Sequence, residues 1–204
     1  MIINIPKNFG FFHFVGIGGI GMSGIAEILV KSGYDVQGSD VSSSKIIDRL
    51  ISLGIKIHIG HDKNNIRNAS IVVYSSAIKQ NNPEIIEAKK LFIPIIHRSE
   101  MLSELMKLKK SIAIAGTHGK TTTTSLISKI LDTNKMDPTI INGGIISSLA
   151  SNAKLGQGEW MVVEADESDG SFAKLMPTIA VITNIDLEHL DFHKNEKNLE
   201  NAFI

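Results

Sequence analysis

Twice in this chain a short apolar run ends in glycine and passes straight into a helical repeat: "FHFVGIGGIGMSGIAEIL" from residue 12 and "SIAIAGTHGKTTTTSLISKIL" from residue 111. A strand that turns at once into a helix is the opening of a βαβ unit, and such units close only into a parallel sheet with helices on its faces. The rhythm continues after the first turn through "YDVQG", "DRLISLGIKIHIG" and "ASIVVYSS", then a helix predicted from Pro83 to about Lys90. "FIPII" and "SEMLSELMKL" follow, with Ser99 expected to cap the last helix. The charged segment "KLKKS" closes this series and "IAIAG" opens another, in which "WMVVEAD" and "IAVITNID" read as buried strands ending in acidic or amide residues. Two α/β domains are expected, over residues 1–107 and 108–204.

Composition narrows the function classes. With 43% hydrophobic residues in 204, the chain can bury a core, and its 21 basic and 21 acidic residues balance. No broad positive field is available to attract nucleic acid or an anionic membrane, so any anion must be held by a local site. The absence of cysteine excludes disulfides and thiolate metal sites. No apolar run approaches the roughly 20 residues of a transmembrane helix, and the N-terminus lacks a signal-peptide core, so a cytoplasmic protein is expected. "EKNLENAFI" starts an amphipathic helix and then stops, from which we expect a piece of a longer protein with an incomplete second domain.

The first turn places Gly16, Gly18 and Gly21 in GxGxxG spacing, with Gly19 and Ile20 between them. In a strand-to-helix context the first glycine permits the turn, the second lets a phosphate approach the backbone, and the third lets helix and strand pack closely. The first domain is therefore Rossmann-like. Asp40, in "QGSD" after the second strand, stands where such folds put the acid that bonds a ribose hydroxyl. The literal reading is NAD, but a UDP-sugar offers the same pyrophosphate.

The second turn, "GTHGKTTT", reads as a P-loop-type cradle. Backbone amides from Gly116, Thr117, His118 and Gly119 wrap phosphate, Lys120 neutralises β/γ oxygens, and Thr121, followed by Thr122, binds Mg²⁺. The usual first glycine is replaced by Ile114, which shortens the loop to GxxGKT. Mg²⁺ prefers oxygen ligands, so a carboxylate is expected on a neighbouring strand end. "VVEADESDGSF" supplies Glu164, Asp166, Glu167 and Asp169; "TNIDLEHLDFH" adds Asn184, Asp186, Glu188, His189, Asp191 and His193.

Together these motifs resemble the Mur ligases, the ATP-dependent amide-bond ligases of peptidoglycan synthesis. The resemblance runs in order through "GIGGIGMSGIAEIL", "GSD", "VVYSSAI", "NPE", "HRSEML", "AIAGTHGKTTT", "NGG", "EADESDGSF" and "TNIDLEHLD". It implies that the first domain holds the UDP part of a sugar substrate, that the second is an ATPase domain, and that a third, helping to bind ATP and amino acid, is missing. The substrates so implied are UDP-N-acetylmuramate, ATP and L-alanine, with Mg²⁺. Gly16, Gly18, Gly19, Ile20, Gly21 and Asp40 would face the uridine diphosphate, with Ser75 and Ser76 nearby. Lys120 would contact the γ-phosphate, and Thr121 and Glu164 would bind the metal. His189 would help hold a second Mg²⁺, with Asn184 and His118 lining the same region. Three alternatives stand beside this, one of them a non-catalytic nucleotide-sugar-binding module. A sibling ligase attaches a murein tripeptide to the same sugar, though there tyrosine is expected at Ser168 and a different glycine turn. An NAD-dependent oxidoreductase would leave the second cradle unexplained.

Overall fold

The computed structural model describes residues 10–146, 150–166 and 170–186. The chain is α/β and divides into two compact units, Met1–Met101 and Leu102–Ile204. In the first, β1 (Phe11–Val15), β2 (Val36–Asp40), β3 (Lys56–Ile59), β4 (Ala69–Tyr74) and β5 (Ile95–His97) form a parallel sheet in the order β3-β2-β1-β4-β5. The crossovers carry α1 (Ile20–Lys31), α2 (Lys45–Ser52) and α3 (Pro83–Lys90); α4 (Arg98–Met106) follows β5. Central β1 is buried on both faces: Phe12, Phe14 and Val15 are fully inaccessible, as expected for a strand covered by helices on either side.

The second unit holds β6 (Lys110–Ala115), α5 (Lys120–Thr133), β7 (Thr139–Ile146), β8 (Ser151–Lys154), β9 (Trp160–Glu164) and β10 (Ile179–Ile182). Its sheet order is β10-β6-β9-β7-β8, parallel except for the antiparallel β7/β8 pair. Ile127 and Leu131 of α5 pack on a core of Ile112, Ile114 and Val162. The β7/β8 hairpin is a departure from the simple βαβ reading, because "TIINGG" and "SNAK" lack a continuous apolar run. Ser99 departs as well. α4 begins one residue earlier, at Arg98, and the Ser99 hydroxyl pairs with His97 Nδ1 at 2.8 Å.

Helix starts fall into two kinds. Ser44 caps α2 by accepting from the Ile47 amide, and Asn82 caps α3 by accepting from Glu84, with Pro83 fixing the first turn. The N-caps of α1 and α5 are Gly19 and Gly119, which have no side-chain oxygen to give. These two helices are the ones that open from the glycine turns.

A charged knot sits inside the first sheet. His13 points away from Phe12 and Phe14 and is fully buried, with Nε2 3.1 Å from Glu84 Oε2. Glu84, also fully buried, accepts from Ser39 Oγ at 2.6 Å and from Asn65 Nδ2 at 2.7 Å. Burial by itself would push the Glu84 carboxyl up, but the hydrogen bonds from His13 and Ser39, the His13 charge and the Asn65 bond together outweigh it and hold the group below its ordinary value. A carboxylate with a depressed folded pKa stabilises the fold above its unfolded pKa and loses that contribution as pH falls through the folded one. Urea unfolding is therefore expected to show declining stability below about pH 4.5, and Glu84→Gln should flatten that decline.

Candidate functional site

Strand order in the first sheet reverses about β1, and ligands of open α/β sheets bind outside the carboxyl ends of the strands at such a switch point. A cleft of about 450 Å³ opens there, lined by Gly16, Gly18 and Gly19 after β1, Asp40, Ser42 and Ser44 at and after β2, His61 after β3, and Ser75 after β4. Asp40 Oδ2 accepts from the Gly18 amide at 2.8 Å, so the carboxylate braces the glycine turn. A Cβ on Gly18 would lie 2.9 Å from that oxygen, so a side chain there would displace the bracing carboxylate. Gly16, Gly18, Gly19, Asp40 and Ser75 are thus brought into one cleft. Ile20 begins α1, Gly21 faces the Arg98 guanidinium, and Ser76 pairs with His97 Nε2 at 3.0 Å; none of these three lines it. Ser42, Ser44 and His61 escaped the sequence reading. "IGHD" carries no motif by itself, and only the parallel register of β3 with β2 delivers it to this edge.

In the second unit the loop after β6 enters α5 through Gly119, at φ +80°, and Gly116, at φ +124°. Both lie in the left-handed region that favours glycine. A Cβ on Gly116 would meet Thr183 Oγ1 at 2.3 Å, because the exit of β10 clasps the loop. Asn184 accepts from the Thr117 amide through its carbonyl at 3.1 Å and from the His118 amide through Oδ1 at 2.9 Å. It also donates to His118 O at 3.1 Å, while Thr183 Oγ1 donates to the same oxygen at 2.6 Å. Two amides expected to face phosphate are therefore engaged by Asn184, which here holds the loop in shape. The amides of Lys120, Thr121 and Thr122 precede the first helical hydrogen bond, donated by Thr123 to Gly119 O, and sit at the positive end of the α5 dipole. Lys120 Nζ donates to Gly116 O at 2.6 Å and Thr117 O at 3.1 Å, folded over its own loop. His118 Nε2 lies 3.5 Å from Asp186 Oδ2.

Two further strand ends complete the edge. Glu164, at the end of β9, accepts from the Gly143 amide at 2.9 Å. A Cβ on Gly143 would fall 2.2 Å from Glu164 Oε1, and one on Gly144 would fall 3.2 Å from Thr121 Cγ2. Adjacent glycines of β7 thus leave room for the Glu164 carboxylate at one position and for the Thr121 side chain at the next. Next to them Asn142 is buried, its Nδ2 donating to Ser125 Oγ at 3.2 Å and its Oδ1 without a partner among the described residues. Glu164 offers a carboxylate and Asn142 a buried amide oxygen, the kind of oxygen donor that a hard cation such as Mg²⁺ takes alongside water and phosphate. "NGG" was the sequence signal for this, although it names no role for the glycines. Glu167, Asp169, Glu188, His189, Asp191 and His193 lie outside the described residues.

Comparison with known proteins fits this arrangement. Residues 11–110 match the Mur ligase family, catalytic domain, and residues 114–204 match the Mur ligase middle domain. The chain belongs to the Mur ligase family. It is 56% identical over 201 residues to the UDP-N-acetylmuramate–L-alanine ligase of Rhodopseudomonas palustris (strain TIE-1), covering 98% of this chain and 43% of that protein. To the ligase of the same name from Rhodospirillum centenum it is 57% identical over 199 residues, covering 98% and 41%. This Mur ligase chain thus spans less than half the length of the curated relatives it matches. The crystal structure of the Thermotoga maritima UDP-N-acetylmuramate-alanine ligase superposes with TM-score 0.89 at 35% identity, covering 95% of this chain and 46% of that one. The Neisseria meningitides UDP-N-acetylmuramate:L-alanyl-gamma-D-glutamyl-meso-diaminopimelate ligase superposes at 0.86 and 27% identity, covering 95% and 66%.

The two β7 glycines give a direct check. Gly143→Ala is expected to push the Glu164 carboxylate off its position and weaken magnesium-dependent ATP binding at least tenfold, about 1.4 kcal/mol, by isothermal calorimetry. Circular dichroism should show the secondary structure retained.

Proposed function

We propose that this chain is the sugar-nucleotide-binding and ATP-binding part of a ligase that joins L-alanine to the lactyl carboxylate of UDP-N-acetylmuramate. The observation that carries this reading is the 56% identity to alanine ligases across 98% of the chain. The geometry supports it with a glycine turn on the carboxyl edge of each sheet, each opening an uncapped helix.

A free carboxylate resists amines because its leaving group would be an oxide. In the proposed reaction a lactyl carboxylate oxygen attacks the γ-phosphorus of ATP and ADP departs. The alanine nitrogen then attacks the acyl carbon, loses a proton, and inorganic phosphate leaves. Lys120 swings from Gly116 O and Thr117 O to the γ-phosphate, where it neutralises developing charge. The first-turn amides of α5 bind phosphate oxygens that the macrodipole favours. Thr121 and Glu164 would hold Mg²⁺, which when bound would supply charge neutralisation at the phosphates. Asn184 keeps the loop wrapped, with His118 and Thr117 as its partners, and His189 is assigned a second metal near the acceptor carboxylate. In the first unit Gly16, Gly18, Gly19, Asp40 and Ser75 receive the uridine diphosphate. That acceptor separates this reading from a nicotinamide one.

The similarity to the Neisseria tripeptide-type ligase makes amino-acid dependence the deciding measurement. With the full-length protein, UDP-N-acetylmuramate and ATP, phosphate release should require L-alanine; release driven by the tripeptide instead would reassign the enzyme. Lys120→Ala should lower the rate by about 10²–10³-fold. Fluorescence transfer to bound NADH, with no binding of UDP-N-acetylmuramate, would defeat the proposal altogether.

A further inference from the structure

The knot around Glu84 is continuous with the wall of the first cleft. Ser39 Oγ, which donates to Glu84 Oε2 at 2.6 Å, lies 3.0 Å from Nδ1 of His61, and His61 lines the cleft. Glu84 Oε1 is 3.6 Å from the same Nδ1 and accepts from Asn65 Nδ2 and, at 3.4 Å, from the Asp62 amide. Asn65 in turn donates to Gly60 O at 3.0 Å. A fully buried carboxylate on α3 thus grips both flanks of His61.

The direction of these bonds fixes the imidazole. An ionised carboxylate only accepts, so the single Ser39 hydroxyl proton goes to Glu84. Ser39 Oγ can then only accept from His61, and the proton between them must sit on His61 Nδ1. In the neutral ring Nε2 is left with a lone pair. The side chain is 15% exposed and lines the cleft, so the ring is within reach of a ligand there.

We propose that Glu84 is a positioning residue which, through Ser39, sets the His61 ring so that Nε2 accepts a hydrogen bond from the nucleoside of the bound sugar nucleotide, from a ribose hydroxyl or the uracil N–H. The inference rests on the reading of this cleft as a uridine diphosphate site. Glu84 faces His13, His61 and, through its charge, His58 and Asp62, while Asp40 shares the cleft with His61. His13 is attached to the same carboxylate from the far side and has Nδ1 buried without a partner among the described residues, so it anchors Glu84 and has no path of its own to the cleft.

The test uses the 204-residue chain at about pH 8, where an ordinary imidazole is neutral. Nitrogen NMR of the His61 ring should show the proton on Nδ1. Glu84→Gln introduces an NH₂ donor beside Ser39, lets the hydroxyl turn toward His61, and should move the ring proton to Nε2. UDP affinity by calorimetry should fall about tenfold in His61→Ala and in Glu84→Gln, and by no more than that in the double variant, since the two act as one. Ser39→Ala, which leaves Glu84 its His13 and Asn65 bonds, should reproduce the affinity loss with the secondary structure retained by circular dichroism. Repeating the titrations with 2′-deoxyuridine diphosphate narrows the donor: loss of the His61 effect assigns the 2′-hydroxyl, its persistence the 3′-hydroxyl or the uracil N–H, and either supports the proposal. Unchanged UDP binding in His61→Ala, additive losses in the double variant, or a ring proton indifferent to Glu84→Gln would each overturn it. A wild-type chain that does not bind UDP would overturn the reading of the cleft instead.

Discussion

Helix amides without a side-chain cap are the constraint from which both candidate sites follow. The first amides of any helix lack intrahelical acceptors, and a protein must satisfy them with its own oxygens, with water or with a ligand. In α2 and α3 the protein does so itself, through Ser44 and Asn82. At α1 and α5 it places Gly19 and Gly119 instead. Both helices start at the carboxyl edge of a parallel sheet, where macrodipole and turn act in the same sense on an approaching anion. Gly119 also takes a left-handed backbone there, and neither glycine has a side-chain oxygen to cap its helix.

The charged residues around these turns hold the protein's own backbone. Asp40 accepts from Gly18, Glu164 accepts from Gly143, and Lys120 donates to Gly116 and Thr117. For Glu164 and Asp40 the bond is to an amide, which leaves the second carboxylate oxygen to a ligand. For Lys120 the partners are loop carbonyls, so the proposed role would require its side chain to rotate away from them. Asn184 works differently. By bonding both Thr117 and His118 amides and the His118 carbonyl, it shapes the loop around which the others act.

Much of this was legible from residue order. Alternating apolar runs and helical repeats gave the α/β class, and α3 runs over the predicted Pro83–Lys90, because capping residues and glycines act over a few positions of chain. The hairpin of β7 and β8 was not legible, since its strands are short and partly polar and are recognisable only once β9 supplies a neighbour. The Glu84 knot was equally hidden. His13 sits in an apolar run, Glu84 in an amphipathic helix and Asn65 in a polar turn, so each looks ordinary where it stands.

The sequence by itself determined the positions of the turns, the glycines that make them and the lysine, threonine and acids that flank them, because these depend on backbone geometry within one strand-to-helix passage. Only the tertiary structure decided which residues share an edge: that Glu164 braces Gly143, that Asn184 clasps the cradle, and that Glu84 reaches His61 through Ser39. Those pairings depend on strand order and parallel register, which bring together residues 20 to 70 positions apart through hydrogen bonds between strands and burial of their faces. No local pattern in the chain encodes such a distance.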